Sequence, residues 1–235
     1  MTPTNGKQQS HGSRRLPWHT CIMLLITFGL FVLSGPAPEM MVFDREAIMQ
    51  GELWRLFTGH WVHSDWEHLA WNLLALGLLG WMIELSLGQR KLFQALLVGM
   101  CLVDAWAWWF LPSLVYYCGL SGILNTLLIV SVIEGWYRTR NSVFLLVFIG
   151  AMAKITLELI QSSALLTHTA WPAVPQAHLA GAIAGIIFLL YQAKLKVRLK
   201  TFRYYSNEKY ANKIVTMKNG FCEFVEAKTN NDNIG

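Results

Sequence analysis

The sequence predicts an all-α membrane protein with six spanning helices, and three observations carry that prediction. The 235 residues are 54% hydrophobic and only 14% charged, with eleven Trp, against a charged share of about 25% in ordinary soluble domains. Six apolar segments recur, roughly 18–35, 66–87, 91–111, 120–137, 142–163 and 176–195, most of them near the ~20 residues that a helix needs to cross hydrocarbon. The basic residues are segregated as well. Lys7, Arg14 and Arg15 precede the first segment, Arg90 and Lys91 follow the second, Arg138 and Arg140 follow the fourth, and nine lie from Lys194 onward, so that sixteen of nineteen fall on one side of a six-span arrangement. The positive-inside rule then places both termini in the cytoplasm. The net charge of +5 is on this account a topology signal, and nucleic acid is not an expected partner.

The elements follow in order. Residues 1–17 form a polar cytoplasmic segment, and the first span lacks a small-residue cleavage site, so it reads as an anchor rather than a removable signal. An acidic outer loop over 36–65 holds Glu39, Asp44, Glu46, Glu52 and Asp65. The second span opens SDWEHLAWN, where Ser64 and Glu67 have the spacing of a capping box. His68 falls in its first turn, with Asn72 one turn further on the same face. In the third span Asp104 sits among Trp106, Trp108 and Trp109, where an interhelical hydrogen bond is its expected role. The fourth begins in YYCGLSGILN at Ser121, and its apolar run of thirteen residues ends at Ile133, covering ~20 Å at 1.5 Å per residue. Such a run either ends in the interface or starts below the outer surface, beneath a loop buried in protein or lining a watery cavity. Lys154 and Glu158 in the fifth span, at i and i+4, read as a structural ion pair. In the sixth, Pro175 suits a first helical position and puts His178 in the first turn. The soluble tail over 196–235 is basic, suited to anionic lipid, and contains a hairpin pattern at 214–225 around Asn219-Gly220.

With the amino terminus inside, spans two, four and six all run inward, so their first turns share one level. That level collects Ser121, His178, His68 and Asn72. Each alone reads as a helix–helix hydrogen bond. Together they supply a nucleophile, its base and donors for a developing oxyanion. Gly181 and Gly185 form G-x-x-x-G below His178 and permit close approach, to Gly122 or Gly119. His60, His63 and His68 do not have the H-E-x-x-H spacing of a zinc site, and no metal or other cofactor is expected. The four cysteines share no evident oxidising location, and Cys118 is a candidate reactive thiol with nothing nearby that would lower its pKa. A small transporter would also place polar residues in the membrane, but no repeat of helices is evident.

These residues resemble the rhomboid family of intramembrane serine proteases over roughly 50–190. The matching motifs are Trp54-Arg55 in the outer loop, H-x-x-x-N at His68 and Asn72, G-x-S-G at Gly119–Gly122, and A-H-x-x-G-x-x-x-G at Ala177, His178, Gly181 and Gly185. The resemblance implies a six-helix rhomboid-like bundle over 18–195 with Ser121 as nucleophile and His178 as general base. It also implies an oxyanion hole of His68, Asn72 and the Ser121 backbone N–H. Within the family, the short loops and the stretch GELWRLFTGHWVHSDWEHLAWNLL look most like rhombosortases. That subgroup is associated with bacterial substrates ending in a glycine-glycine motif, a hydrophobic span and a basic end. The implied partners are the lipid bilayer and transmembrane or C-terminally anchored proteins, with the site on the periplasmic side of the bacterial inner membrane. A general housekeeping rhomboid and a non-catalytic client-binding relative are the alternatives. At Asn125 the chain departs from the Tyr that many rhomboids, or the His that rhombosortases often, place beside the catalytic His.

Overall fold

The computed structural model describes residues 16–165, 169–207, 213–218 and 221–226, so most of the amino-terminal segment over 1–17 and the Asn219-Gly220 turn lie outside the described residues. Six long helices appear where hydropathy places them: α1 (Trp18–Ser34), α4 (Trp66–Leu87), α5 (Gln89–Phe110), α6 (Ser121–Thr139), α7 (Ser142–Gln161) and α8 (Pro175–Asn207). Between α1 and α4 lie strand β1 (Phe43–Asp44) and the short helices α2 (Arg45–Met49) and α3 (Arg55–Thr58), and between α5 and α6 lies strand β2 (Tyr116–Tyr117).

Four of the long helices are long and apolar enough to cross a membrane: α4, α5, α7 and Pro175–Leu195 of α8. Of the six spans expected, these four are clear by length and composition among the described residues. At 17 residues, α1 is ~26 Å long by the usual helical rise, short of a ~30 Å hydrocarbon core. α6 is diluted by Asn125, Thr126, Ser131, Glu134 and Arg138, and its position explains why that is tolerated. It packs on α4, α5 and α7, and nine of its residues, from Gly122 to Val132, are buried. A helix surrounded by other helices meets protein rather than lipid, so its side chains need not be uniformly apolar. α7 is the opposite case, burying only Ile155 and Glu158 among its twenty residues.

The seam between α6 and α8 is made by glycines. A Cβ on Gly181 would land on the Gly122 carbonyl, and one on Gly185 would come within 2.8 Å of Ile129 Cβ and 2.9 Å of the Thr126 carbonyl. Thr126 Oγ1 donates to the Gly181 carbonyl at 2.8 Å across the same seam. Gly181 and Gly185 therefore face α6 at Gly122, Thr126 and Ile129, whereas Gly119 faces α4.

The connection over 35–65 is folded rather than loose. β1 pairs antiparallel with β2, Phe43 opposite Tyr117. Arg45 donates to the Ala107, Trp108, Leu111 and Leu114 carbonyls, covering the carboxyl end of α5. Arg55 is 5% exposed and ties Glu52 to the Glu39 and Val42 carbonyls, while Trp54 Nε1 donates to the Met40 carbonyl. The Trp54-Arg55 pair thus clamps the start of this connection.

From Leu189 onward the chain forms a second compact unit. In it β3 (Lys213–Lys218) pairs antiparallel with β4 (Phe221–Glu226), with Lys218 opposite Phe221.

Candidate active site

Ser121 is the first residue of α6, preceded by Leu120 at the cap. The first N–H groups of any helix have no partner within it and are available to an anion. What fixes Ser121 is the segment before it. Tyr117, Cys118, Gly119 and Leu120 are all buried, held by the β1–β2 pair and by Gly119 N–H donating to the Gly59 carbonyl at 2.9 Å. The Tyr117 hydroxyl donates to the Gly119 carbonyl at 3.1 Å. Gly119 has φ +106°, and a Cβ there would strike the His68 ring at Cε1 and Nε2. The first glycine of G-x-S-G thus lets an imidazole lie against the backbone leading into the serine.

His178 stands in the first turn of α8, which begins at Pro175. Its Nε2 is 3.1 Å from Ser121 Oγ. The glycine seam one turn below brings the two helix starts this close. On the other side of the ring, Nδ1 is 2.8 Å from Glu158 Oε2 of α7. Glu158 is fully buried and also accepts from Lys154 Nζ and, at 3.0 Å, from the Leu165 backbone N–H. An ionised carboxylate only accepts, so Nδ1 carries a proton, and in the neutral ring Nε2 then presents its lone pair to the serine hydroxyl. The expected Lys154–Glu158 ion pair is present but incomplete as a description, because the second carboxylate oxygen holds the histidine. Nothing in the spacing of Glu158 and His178 along the chain signals this contact.

His68 and Asn72 line the same cavity as Ser121 and His178. Asn72 is buried and donates one amide hydrogen to the His68 carbonyl at 2.8 Å, keeping a second for another acceptor. His68 Nδ1 lies 3.1 Å from Ser64 Oγ, which leaves the Nε2 edge toward Gly119. The cap of α4 differs from the expected capping box: Asp65, not Ser64, accepts from the N–H of His68 at 2.8 Å. The Ser64 hydroxyl bonds Asp65 at 2.7 Å, and the Ala170 N–H donates to the same carboxylate at 2.7 Å. Partial burial pushes the Asp65 carboxyl up, but these three hydrogen bonds outweigh it and hold the group below its ordinary pKa. Asn125 donates to the Ser121 carbonyl of its own helix at 2.9 Å, so the support for His178 comes from Glu158 instead.

The surrounding residues divide into supports and inert groups. His60 Nε2 meets Asp104 Oδ1 at 3.0 Å, so Asp104 bonds the connection over 35–65 rather than the catalytic pair. His63 is fully buried with neither ring nitrogen in a well-formed hydrogen bond, and burial, aided by the charge of His68, lowers its pKa to about 3. Cys118 is a free, buried thiol pushed up to about 12 by burial and then by Asp65, the reverse of a reactive thiolate. Among the described residues, no three His, Cys, Asp or Glu side chains converge as a metal-holding group.

The cavity holds about 340 Å³ and reaches from Ser121 and His178 past Trp71 and Leu79 of α4 to Leu128 of α6 and Lys154 of α7. α4 and α7 both pack on α6 but scarcely on each other, and the cavity lies between them. A half-buried serine hydroxyl hydrogen-bonded to a histidine, set at a helix start and open to an apolar groove, can attack an acyl carbon. The Rhomboid domain family matches residues 50–194 of the chain. No individual curated protein matches it.

Proposed function

The chain belongs to the rhomboid family, and from that premise we propose that it is an intramembrane serine endopeptidase that cuts membrane-anchored proteins near the outer interface. The observation that carries this is the 3.1 Å contact of His178 Nε2 with Ser121 Oγ. As Oγ attacks the scissile carbonyl, its proton passes to Nε2. The oxyanion is held by the Ser121 N–H and the second amide hydrogen of Asn72, fixed before the substrate arrives, and by His68 when its Nε2 carries a proton. Protonated His178 gives its proton to the leaving amine, and water drawn into the cavity then hydrolyses the acyl-enzyme by the same route in reverse. A non-catalytic client-binding relative would have no need of a serine hydroxyl hydrogen-bonded to a histidine.

The expected result with a fluorophosphonate probe on the detergent-solubilised protein is labelling that vanishes in Ser121→Ala and slows by ~10²-fold or more in His178→Ala. Labelling that persists in Ser121→Ala would remove the nucleophile. The narrower reading is a rhombosortase-like specificity for a glycine-glycine carboxyl-terminal signal, supported by the motif-bearing stretch 51–74 and the short loops. Co-expression with a reporter bearing such a signal, and with its Val-Val counterpart, separates the two. Equal cleavage of both reporters assigns a general rhomboid instead.

A further inference from the structure

We infer that Glu158 is the third member of the catalytic group, a positioning residue that makes the pair a Ser121–His178–Glu158 triad, with Lys154 as its counter-ion. The inference rests on the serine protease reading above and goes beyond the dyad. Its first support is the division of labour within one carboxylate. Oε1 takes the Lys154 ammonium and the Leu165 N–H, which suffice for an ion pair and a helix-end contact. Oε2 is committed to His178 Nδ1 at 2.8 Å.

The second support is cost. A carboxylate fully removed from water is strongly destabilising unless its lone pairs are met by charged or N–H donors. α7 buries only two residues, Ile155 and Glu158. A helix with so small a packed face has little structural reason to spend half of it on a charge, whereas a charge aimed at the catalytic imidazole does three things. It fixes the Nδ1–H tautomer, aligns Nε2 on Ser121 Oγ, and offsets the imidazolium that forms when the serine proton arrives. Glu158 itself takes no proton: the proton moves from Oγ to Nε2 and on to the leaving group while Nδ1–H stays hydrogen-bonded to Oε2. The aromatic support missing at Asn125 is thereby replaced from another helix. Because the carboxylate is carried by α7, the site is complete only while α7 is seated against α6.

The charged and titratable groups facing His178 are Glu158 and Lys154 of α7 and His68 of α4, with Ser121 of α6 opposite Nε2. Their signs dictate the test, which follows the rate of fluorophosphonate labelling across about pH 5–9, alongside thermal unfolding of each sample. Glu158→Gln is expected to lower the maximal labelling rate roughly 10²- to 10⁴-fold with probe affinity unchanged, and to shift the acid limb of the profile to lower pH. Lys154→Gln, at a side chain 41% exposed, leaves the carboxylate less neutralised and shifts the limb to higher pH. In a His178→Ala background Glu158→Gln has no further effect on labelling, since members of one unit are not additive. A purely structural tether predicts a lower melting temperature, an unmoved pH profile, and the same loss whether or not His178 is present. A folded Glu158→Gln protein labelled within about threefold of the parent rate, or a profile unmoved by Lys154→Gln, overturns the triad. Either result leaves Ser121 standing as nucleophile, whereas labelling that survives Ser121→Ala removes dyad and triad together.

Discussion

Gly119 shows how much of the site depends on a missing side chain. Its φ of +106° is one that L side chains rarely adopt, and its Cβ position is occupied by the His68 imidazole. Gly119→Ala therefore meets backbone strain of ~1–3 kcal/mol and also displaces a proposed oxyanion donor. Labelling by the fluorophosphonate should fall by ~10²-fold while Ser121 and His178 are untouched; a Gly119→Ala enzyme with parental rate would mean that His68 does not act from this position. His63 is the second informative residue. It is neutral in the fold, with its pKa lowered to about 3, against ~6.5 when unfolded. Between those values the unfolded chain binds more protons, so stability is full above ~6.5 and falls as pH drops toward 3. At pH 5 the loss is about 2 kcal/mol, from ~1.36 kcal/mol per pH unit. Melting temperatures measured across that range should drop on the acid side in the parent and less steeply in His63→Leu; parallel curves would count against a buried neutral His63.

At the scale of elements, the α6–α8 seam sets the distance between nucleophile and base. Gly181 leaves no room for a methyl group against the Gly122 carbonyl, so Gly181→Ala must part the two helix starts. Overpacking of this kind costs ~1–3 kcal/mol, and a displacement near 1 Å is enough to lose ~10²-fold in rate. The expected result is a modest fall in melting temperature with a much larger fall in labelling; proportionate losses would point to general unfolding. The seam was legible in the sequence because G-x-x-x-G one turn below His178 has a direct steric meaning. The helix positions were legible for a similar reason, since hydropathy reports lipid contact over many residues at once. Glu158 was not. Its i,i+4 spacing reveals Lys154 on its own helix, but its contact with His178 depends on how α7 and α8 are rotated about their axes, which no local pattern encodes. The β1–β2 pair was missed because two-residue strands carry no periodicity, and the cap of α4 moved by one position because Ser64 and Asp65 are both good cap residues and only tertiary contacts, among them the Ala170 N–H, choose between them.

For the whole molecule, the question is whether α1 and α6 cross the membrane with the four clearer spans. The ends of α6 answer for that helix. Arg138 bonds Glu134 at 2.8 Å and the Ser86 carbonyl at 2.6 Å, so the charged end of α6 lies level with the end of α4 at Leu87. α4, with 22 residues, spans ~33 Å, while α6 covers ~26 Å from Arg138 back to Ser121. Ser121 is then ~7 Å short of the level at which α4 begins, on the side of the buried segment 117–120 and the folded connection 35–65. This geometry, with the segregation of sixteen of nineteen basic residues, predicts alternate sides for successive connections. In a cysteine-free background expressed in a bacterial host, an impermeant maleimide should label Glu46→Cys, Ser113→Cys and Ser163→Cys in intact spheroplasts. Leu16→Cys, Gln89→Cys and Asn141→Cys, all exposed positions, should react only after lysis. Ser113 and Asn141 found on one side would mean that α6 does not cross, and the catalytic serine would then have to be reached from a different surface. Leu16 and Glu46 found together would remove α1 from the span count while leaving the site, which α1 does not touch, in place.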